Sequence, residues 1–268
     1  MKKHSKLLFV LLNLVLVAAL AWAIVHLVYA PGGMRMELTS NMESVQPKQM
    51  VELRFEIHDK DGDVMTEFER VHEKLMHLIV VRDDLTQFQH LHPELDKETG
   101  EFSVDLNFEW AGSYQLFADF TPESSTQTVL SLPLTVSDGS ASETIALVPN
   151  GPESFELDGF TVTPHFPESI ESGSLFTYSF DVLQDEKPVS LETYLGAKGH
   201  SVILHEIDLS YDHTHPSDDT LSFEAILEES GLYKSFTQFQ VNGRVYTIEY
   251  TFEVTAGEGP AESMSDHM

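Results

Sequence analysis

The chain has 268 residues, 41% hydrophobic and 22% charged, which is ample for packed cores of one large or two modest domains and argues against wholesale disorder. Its formal charge is −29, from 15 Lys and Arg against 44 Asp and Glu, and it contains no cysteine. Disulfides, thiolate metal sites and Cys nucleophiles are excluded, and nucleic acid is a poor partner for a surface that cannot neutralise phosphate.

The first element is Leu7–Val25, a 19-residue apolar run interrupted only by Asn13 and preceded by Lys2, Lys3 and Lys6. At about 1.5 Å per residue a helix of this length spans close to the ~30 Å hydrocarbon core. The lysines should remain cytoplasmic, and Trp22, His26 and Tyr29 suit the opposite interface. Residues 1–30 therefore read as a membrane anchor. A cleaved signal peptide is the alternative, with small residues closing Ala21-Trp22-Ala23 and Val28-Tyr29-Ala30. Either reading places the bulk of the chain outside the cytoplasmic membrane, with 12 bases against 44 acids, or −32, on the exported part.

Beyond Pro31 the sequence reads as β throughout. Val51–Ile57, Leu75–Val81, Ser113–Phe120, Leu175–Val182 and Val245–Val254 are short, β-branched or aromatic, and bounded by turn residues. Asp59-Lys60-Asp61-Gly62-Asp63 superficially resembles a calcium loop. Its Gly is fourth rather than sixth and no Glu stands at position twelve, so it predicts a hairpin turn. Asn242-Gly243 between two alternating runs predicts a type I′ hairpin.

The chain repeats itself. His77 is followed after 13 and 15 residues by His90 and His92, the latter before Pro93; His200 is followed at the same spacings by His213 and His215, the latter before Pro216. Phe88 and Tyr211 precede the pairs, and Gly112-Ser113-Tyr114 is echoed by Gly231-Leu232-Tyr233. A tandem duplication accounts for this, with a small polar linker at Ser137–Ser142. The expected fold is all-β: two tandem immunoglobulin-like β-sandwich domains, 31–138 and 143–256, behind an N-terminal transmembrane helix, with residues 257–268 as a flexible tail.

An H-x-H pair on a strand puts both imidazoles on one face, and a His on an antiparallel neighbour can join them. His77, His90 and His92, and likewise His200, His213 and His215, are the candidate ligands, suited without thiolate to copper first and zinc second. Met76 and His72 are further candidates beside the first copy. The competing reading makes each His-Pro a buried strand-end clamp, its ring hydrogen-bonded to backbone. Met34, Met36, Met42 and Met264 could offer thioethers to Cu(I) from flexible ends. No nucleophile elbow, H-E-x-x-H or glycine-rich phosphate loop occurs, so a binding module rather than an enzyme is expected.

The stretch His72-Glu73-Lys74-Leu75-Met76-His77, with Asp84-Leu85 and Phe88-Gln89-His90-Leu91-His92-Pro93, resembles exported β-sandwich proteins of the YtkA-like kind. Ala111-Gly112-Ser113-Tyr114, Tyr194-Leu195-Gly196-Ala197-Lys198-Gly199-His200 and His213-Thr214-His215-Pro216 extend the resemblance over most of residues 34–255. It implies an exported or membrane-anchored module with a heavy-metal or copper association. The apolar run makes the membrane one expected partner and the resemblance makes a metal ion another; neither names a protein partner.

Overall fold

The computed structural model describes residues 33–42, 45–137, 143–216 and 219–257, and the chain divides into two units between Glu143 and Thr144. The membrane anchor, residues 138–142 of the linker and all but the first residue of the tail lie outside the described residues. Among the described residues there is no helix long and apolar enough to cross a membrane; all regular structure is β.

The first unit contains β1 (Arg35–Leu38), β2 (Met50–His58), β3 (Phe68–Glu69), β4 (Met76–Arg82), β5 (Phe88–Leu91), β6 (Glu94–Leu95), β7 (Glu101–Asn107), β8 (Gly112–Pro122) and β9 (Thr128–Val136). One sheet runs β1-β2-β7-β6; the other runs β5-β4-β8-β9, with β3 paired to the end of β8, and every ladder is antiparallel. In β2 the alternation is simple: Leu53, Phe55 and Ile57 are buried while Glu52 and Arg54 stay outside. Central strand β4 is buried on both faces. Met76, Leu78 and Val80 enter a core shared with Phe55, Phe102 and Phe120, whereas His77, Ile79 and Val81 take the opposite face. Each large side chain so buried contributes about 1.5–3 kcal/mol before entropy is counted.

The second unit repeats the plan with β10 (Phe155–Leu157), β11 (Phe160–His165), β12 (Leu175–Gln184), β13 (Lys187–Pro188), β14 (Gly199–His205), β15 (Tyr211–Thr214), β16 (Ser222–Ile226), β17 (Gly231–Val241) and β18 (Arg244–Val254). Its sheets are β10-β11-β12-β13, with β16 on β12, and β15-β14-β17-β18. Their facing sides share one core, in which Phe160, Phe180, Phe223, Phe239 and Tyr250 are prominent.

The local turn readings hold. Val241 pairs with Arg244, and Asn242 and Gly243 take the positive φ values (52° and 74°) of a type I′ turn. The Asp59 carboxylate accepts the backbone N–H of Asp61 and Asp63, both at 2.9 Å, so the acidic loop is a turn held by its own backbone. Two tyrosines tie the start of equivalent strands to the preceding corner. The Tyr114 hydroxyl donates to the Trp110 carbonyl (2.8 Å) and that of Tyr233 to the Glu229 carbonyl (3.0 Å), a device frequent in immunoglobulin-like sandwiches. Strand β17 begins at Gly231, five residues before Phe236, where the alternating run that leads into Asn242-Gly243 starts. Lys234 and Ser235 are buried there, so polarity does not report the strand.

Candidate metal centre

The histidine spacing follows from hairpin register. In β4 and β5, Leu78 pairs with Leu91 and Ile79 with His90; continuing that register by one step sets His77 opposite His92. The second hairpin pairs Ser201 with Thr214 and Val202 with His213, which sets His200 opposite His215. A separation of 15 thus places two histidines across from each other, and a separation of 13 places the third diagonally on the same face. His92 and His215 occupy the step where the chain leaves one sheet for the other. Pro93 and Pro216, lacking an N–H, end the ladder there.

Both triads converge. One ligand nitrogen from each of His77, His90 and His92 lies within 4.8 Å of the other two, and the same holds for His200, His213 and His215. His77 and His200 are buried, and the other four rings are partly so. Ring centroids within the first triad are 4.7–5.2 Å apart, and within the second 4.5–6.0 Å.

In each copy the central-strand ring is oriented by a backbone carbonyl. His77 Nε2–H donates to Val71 O (3.3 Å) and His200 Nε2–H to Tyr194 O (2.8 Å). A carbonyl only accepts, so these bonds fix the neutral tautomer and leave the lone pair on Nδ1. The acceptors are presented by two-residue turns, Val71–Lys74 and Tyr194–Ala197, closed by reciprocal backbone bonds of 2.8–3.2 Å. Their central residues all have positive φ: His72 (46°) and Glu73 (66°) in one, Leu195 (52°) and Gly196 (79°) in the other. Sequence reasoning missed these carbonyls. Gly196 was the one available signal, because only it is a residue type that favours this conformation.

In the first triad His77 Nδ1 lies 2.9 Å from His90 Nε2, so the His90 N–H donates into the lone pair of His77. Nε2 of His92, His213 and His215 and Nδ1 of His200 are sealed from solvent. The donor set fits a borderline transition-metal ion. Nitrogen ligands about 2.0–2.1 Å from one ion lie roughly 3–4 Å apart, which small side-chain rotations would supply here. Nearby, burial pushes the Asp212 carboxyl up while the adjacent His213 pulls it down, and burial raises the Tyr194 phenol.

The remaining candidates fall elsewhere. Met76 is packed in the hydrophobic core, on the face of β4 opposite His77, because successive strand residues alternate. The His72 ring stands edge-on to His77 at 6.3 Å and lies outside the converging group; Tyr194 holds the comparable place beside His200, at 5.5 Å. Met36 and Met42 are core residues and Met34 packs against them, so they are not thioethers on a flexible end; Met264 is outside the described residues.

A two-unit, all-β chain with one histidine triad at the same register position of each unit is the class these observations define. The chain belongs to a family known as a domain of unknown function (DUF8832), whose model matches it twice, over residues 29–137 and 155–256. No curated protein matches. Similar solved structures include a Salmonella alpha-2-macroglobulin (12% identity, 85% of this chain, TM-score 0.31), of which the chain spans 15%. Fibronectin(III)-like modules of Clostridium thermocellum CbhA match at 9% identity over 82% of this chain and 93% of theirs (TM-score 0.24). A Corynebacterium diphtheriae protein described as membrane anchored matches at 13% over 86% of this chain and 60% of its own (TM-score 0.23).

Proposed function

We propose that the chain is an extracytoplasmic, membrane-anchored pair of immunoglobulin-like modules that binds a transition metal, copper first and zinc second, one ion per triad. The observation that carries this reading is the repeated convergence of three imidazole nitrogens around a ring whose other nitrogen is already committed to a carbonyl. Metal-ligating histidines are commonly oriented in that way, with the second ring N–H given to a backbone acceptor. His77, His90 and His92 would hold one ion, and His200, His213 and His215 the other. The resemblance to YtkA-like proteins and the apolar run Leu7–Val25 support the exported location. No catalytic role is proposed.

The 2.9 Å bond between His77 and His90 favours a second reading, in which the histidines are clamps closing a hairpin of a structural or protein-interaction module. The two readings part on a pair of double substitutions. Under the metal reading, titration of the full chain with Cu(II) or Zn(II) shows two binding events. His90→Ala with His92→Ala removes one, and His213→Ala with His215→Ala removes the other, while the metal-free melting temperature changes little. Equal uptake by wild type and both variants, with a clearly lower metal-free melting temperature, would refute it.

A further inference from the structure

The outer face of the β1-β2-β7-β6 sheet holds a histidine that neither triad uses. Across three neighbouring strands Glu37 is paired with Glu56 and Glu56 with Glu101, while Arg35 is paired with His58. Three glutamates thus stand in one row, on the face that His58 also takes. Like charges placed directly opposite destabilise a sheet. Arg35 meets Glu37 at 3.6 Å and Arg54 meets Glu101 at 3.4 Å, but among the described residues Glu56 has its ion-pair contact with His58.

His58 is 8% exposed, and its ring is oriented as in the triads: Nδ1–H donates to the Gly62 carbonyl at 3.1 Å. The Asp59–Asp63 turn presents that carbonyl, so the loop that looks like a calcium site instead holds the ring. A carbonyl only accepts, which leaves the lone pair of the neutral ring on Nε2. That atom is sealed from solvent and lies 3.2 Å from Glu56 Oε2 and 3.6 Å from Glu37 Oε2, yet it has no hydrogen-bond partner. At 3.2 Å the missing bond is a matter of direction: the oxygen lies off the line along which an Nε2–H would point. Electron-rich atoms therefore face one another with no proton aimed between them.

An ion would remove that conflict. It would sit on the ring axis about 2.0–2.1 Å from Nε2, and its other ligands would stand off the axis, roughly 3–3.5 Å from that nitrogen. The second unit shows the contrast. Phe55 and Tyr178 pair with the equivalent Phe102 and Phe223, so His58 and Glu56 correspond to Asp181 and Ser179, and Glu37 to His165. There His165 Nε2–H donates an ordinary hydrogen bond to Asp181 Oδ2 at 2.9 Å, and Ser179 replaces the second carboxylate.

We propose that His58 Nε2, Glu56 and Glu37 form a third metal site, for Zn(II), which imidazole and carboxylates suit. Among the described residues only the imidazole triads converge within 4.8 Å, so Glu37 swings inward as the ion enters and gives up its contact with Arg35. Its side chain is 55% exposed, which leaves room for that rotation. The ion neutralises the glutamate row and ties β1 to β2, and its binding adds a Zn(II) event to those of the triads.

The test uses the full chain with both triads disabled by His90→Ala, His92→Ala, His213→Ala and His215→Ala. Zn(II) uptake is measured by equilibrium dialysis in excess Mg(II), a hard ion that occupies the diffuse acidic surface without competing for imidazole. One Zn(II) per chain is expected, and it should raise the transition of the first unit as followed by Trp110 fluorescence. His58→Ala should abolish this uptake. Glu56→Gln, which relieves the row of like charges, should weaken it by at least about tenfold, the smallest loss that even an outer partner of a metal ligand causes. Should the quadruple variant fail to fold, His58→Ala in the otherwise unsubstituted chain must lower the Zn(II) stoichiometry by one. No Zn(II) bound by the folded quadruple variant, or uptake that survives His58→Ala, overturns the proposal. Neither result bears on the triads, which stand or fall on their own double substitutions.

Discussion

Three hydroxyls form a buried chain in the second unit where the first unit is wholly apolar. The Tyr178 hydroxyl donates to Ser201 Oγ at 2.7 Å, and Ser201 Oγ lies 2.7 Å from Thr237 Oγ1. Tyr178 is 1% exposed, and Ser201 and Thr237 are fully buried. Burial also drives the Tyr178 phenol far above its usual range, so it remains a donor at every accessible pH. Tyr178→Phe removes one net hydrogen bond and should cost about 1 kcal/mol, because Ser201 and Thr237 retain each other. Ser201→Ala orphans both neighbours and should cost about 2–4 kcal/mol, lowering the transition of the second unit by roughly 10–20 °C. The triple variant Tyr178→Phe, Ser201→Ala, Thr237→Val leaves no polar atom unpaired and keeps the volume, so it should fall within about 1–2 kcal/mol of wild type. The corresponding positions in the first unit, Phe55, Leu78 and Ala118, show that this architecture accepts an apolar set. Calorimetry, with Trp110 fluorescence marking the transition of the first unit, measures the wild type, the three single variants (Thr237→Val included) and the triple variant. A triple variant destabilised by the sum of its single changes would refute the coupling argument.

Two other outcomes are expected. A Cβ on Gly199 would lie 2.5 Å from Leu221 Cδ2 and 3.0 Å from the Gln238 carbonyl oxygen. The leucine can turn but the carbonyl moves only with its strand, so Gly199→Ala should cost about 1–3 kcal/mol and weaken Zn(II) uptake at the neighbouring His200 site while sparing the first; an unchanged melting temperature would contradict this. Acid should also destabilise the fold through Asp59, Asp208 and Glu192. Backbone N–H donors, of Asp63, Ser210 and Gly243 respectively, are the main cause holding each carboxyl below its usual range. Because the folded values are depressed, their contribution is complete above the unfolded carboxylate pKa of about 4 and is lost as pH falls through the lower folded values. Melting curves between pH 6 and 2.5 should show that loss, with a shallower acid slope when all three are made Asn or Gln.

How much of this was legible follows from what each residue has to do. The 13- and 15-residue spacings encode hairpin register directly, so both triads could be read from the sequence. The Asn242-Gly243 turn was equally plain, since its residue types favour the required φ. The orienting carbonyls were not legible, because a backbone oxygen leaves no trace in composition, and His72, Glu73 and Leu195 do not announce positive φ. Met76 misled by adjacency: next to His77 in sequence, it is opposite in space. Met36 and Met42 looked like loose thioethers, but pairing of β1 with β2 and packing beneath them place both in the core.

The division of labour between strands gives the site its physical character. β4 and β14 are hydrogen-bonded on both sides and buried on both faces, so His77 and His200 sit on interior strands of their sheets, with their rings tied as well. β5 and β15 are four-residue edge strands, each paired on one side within its sheet, with a proline two residues beyond the strand end. One ring of each triad is therefore fixed and two are adjustable. Under the metal reading such an arrangement tolerates ions of different preferred geometry, because the edge hairpin can shift by the fraction of an ångström that a change in coordination demands. Geometry alone then discriminates weakly between Cu(I), Cu(II) and Zn(II).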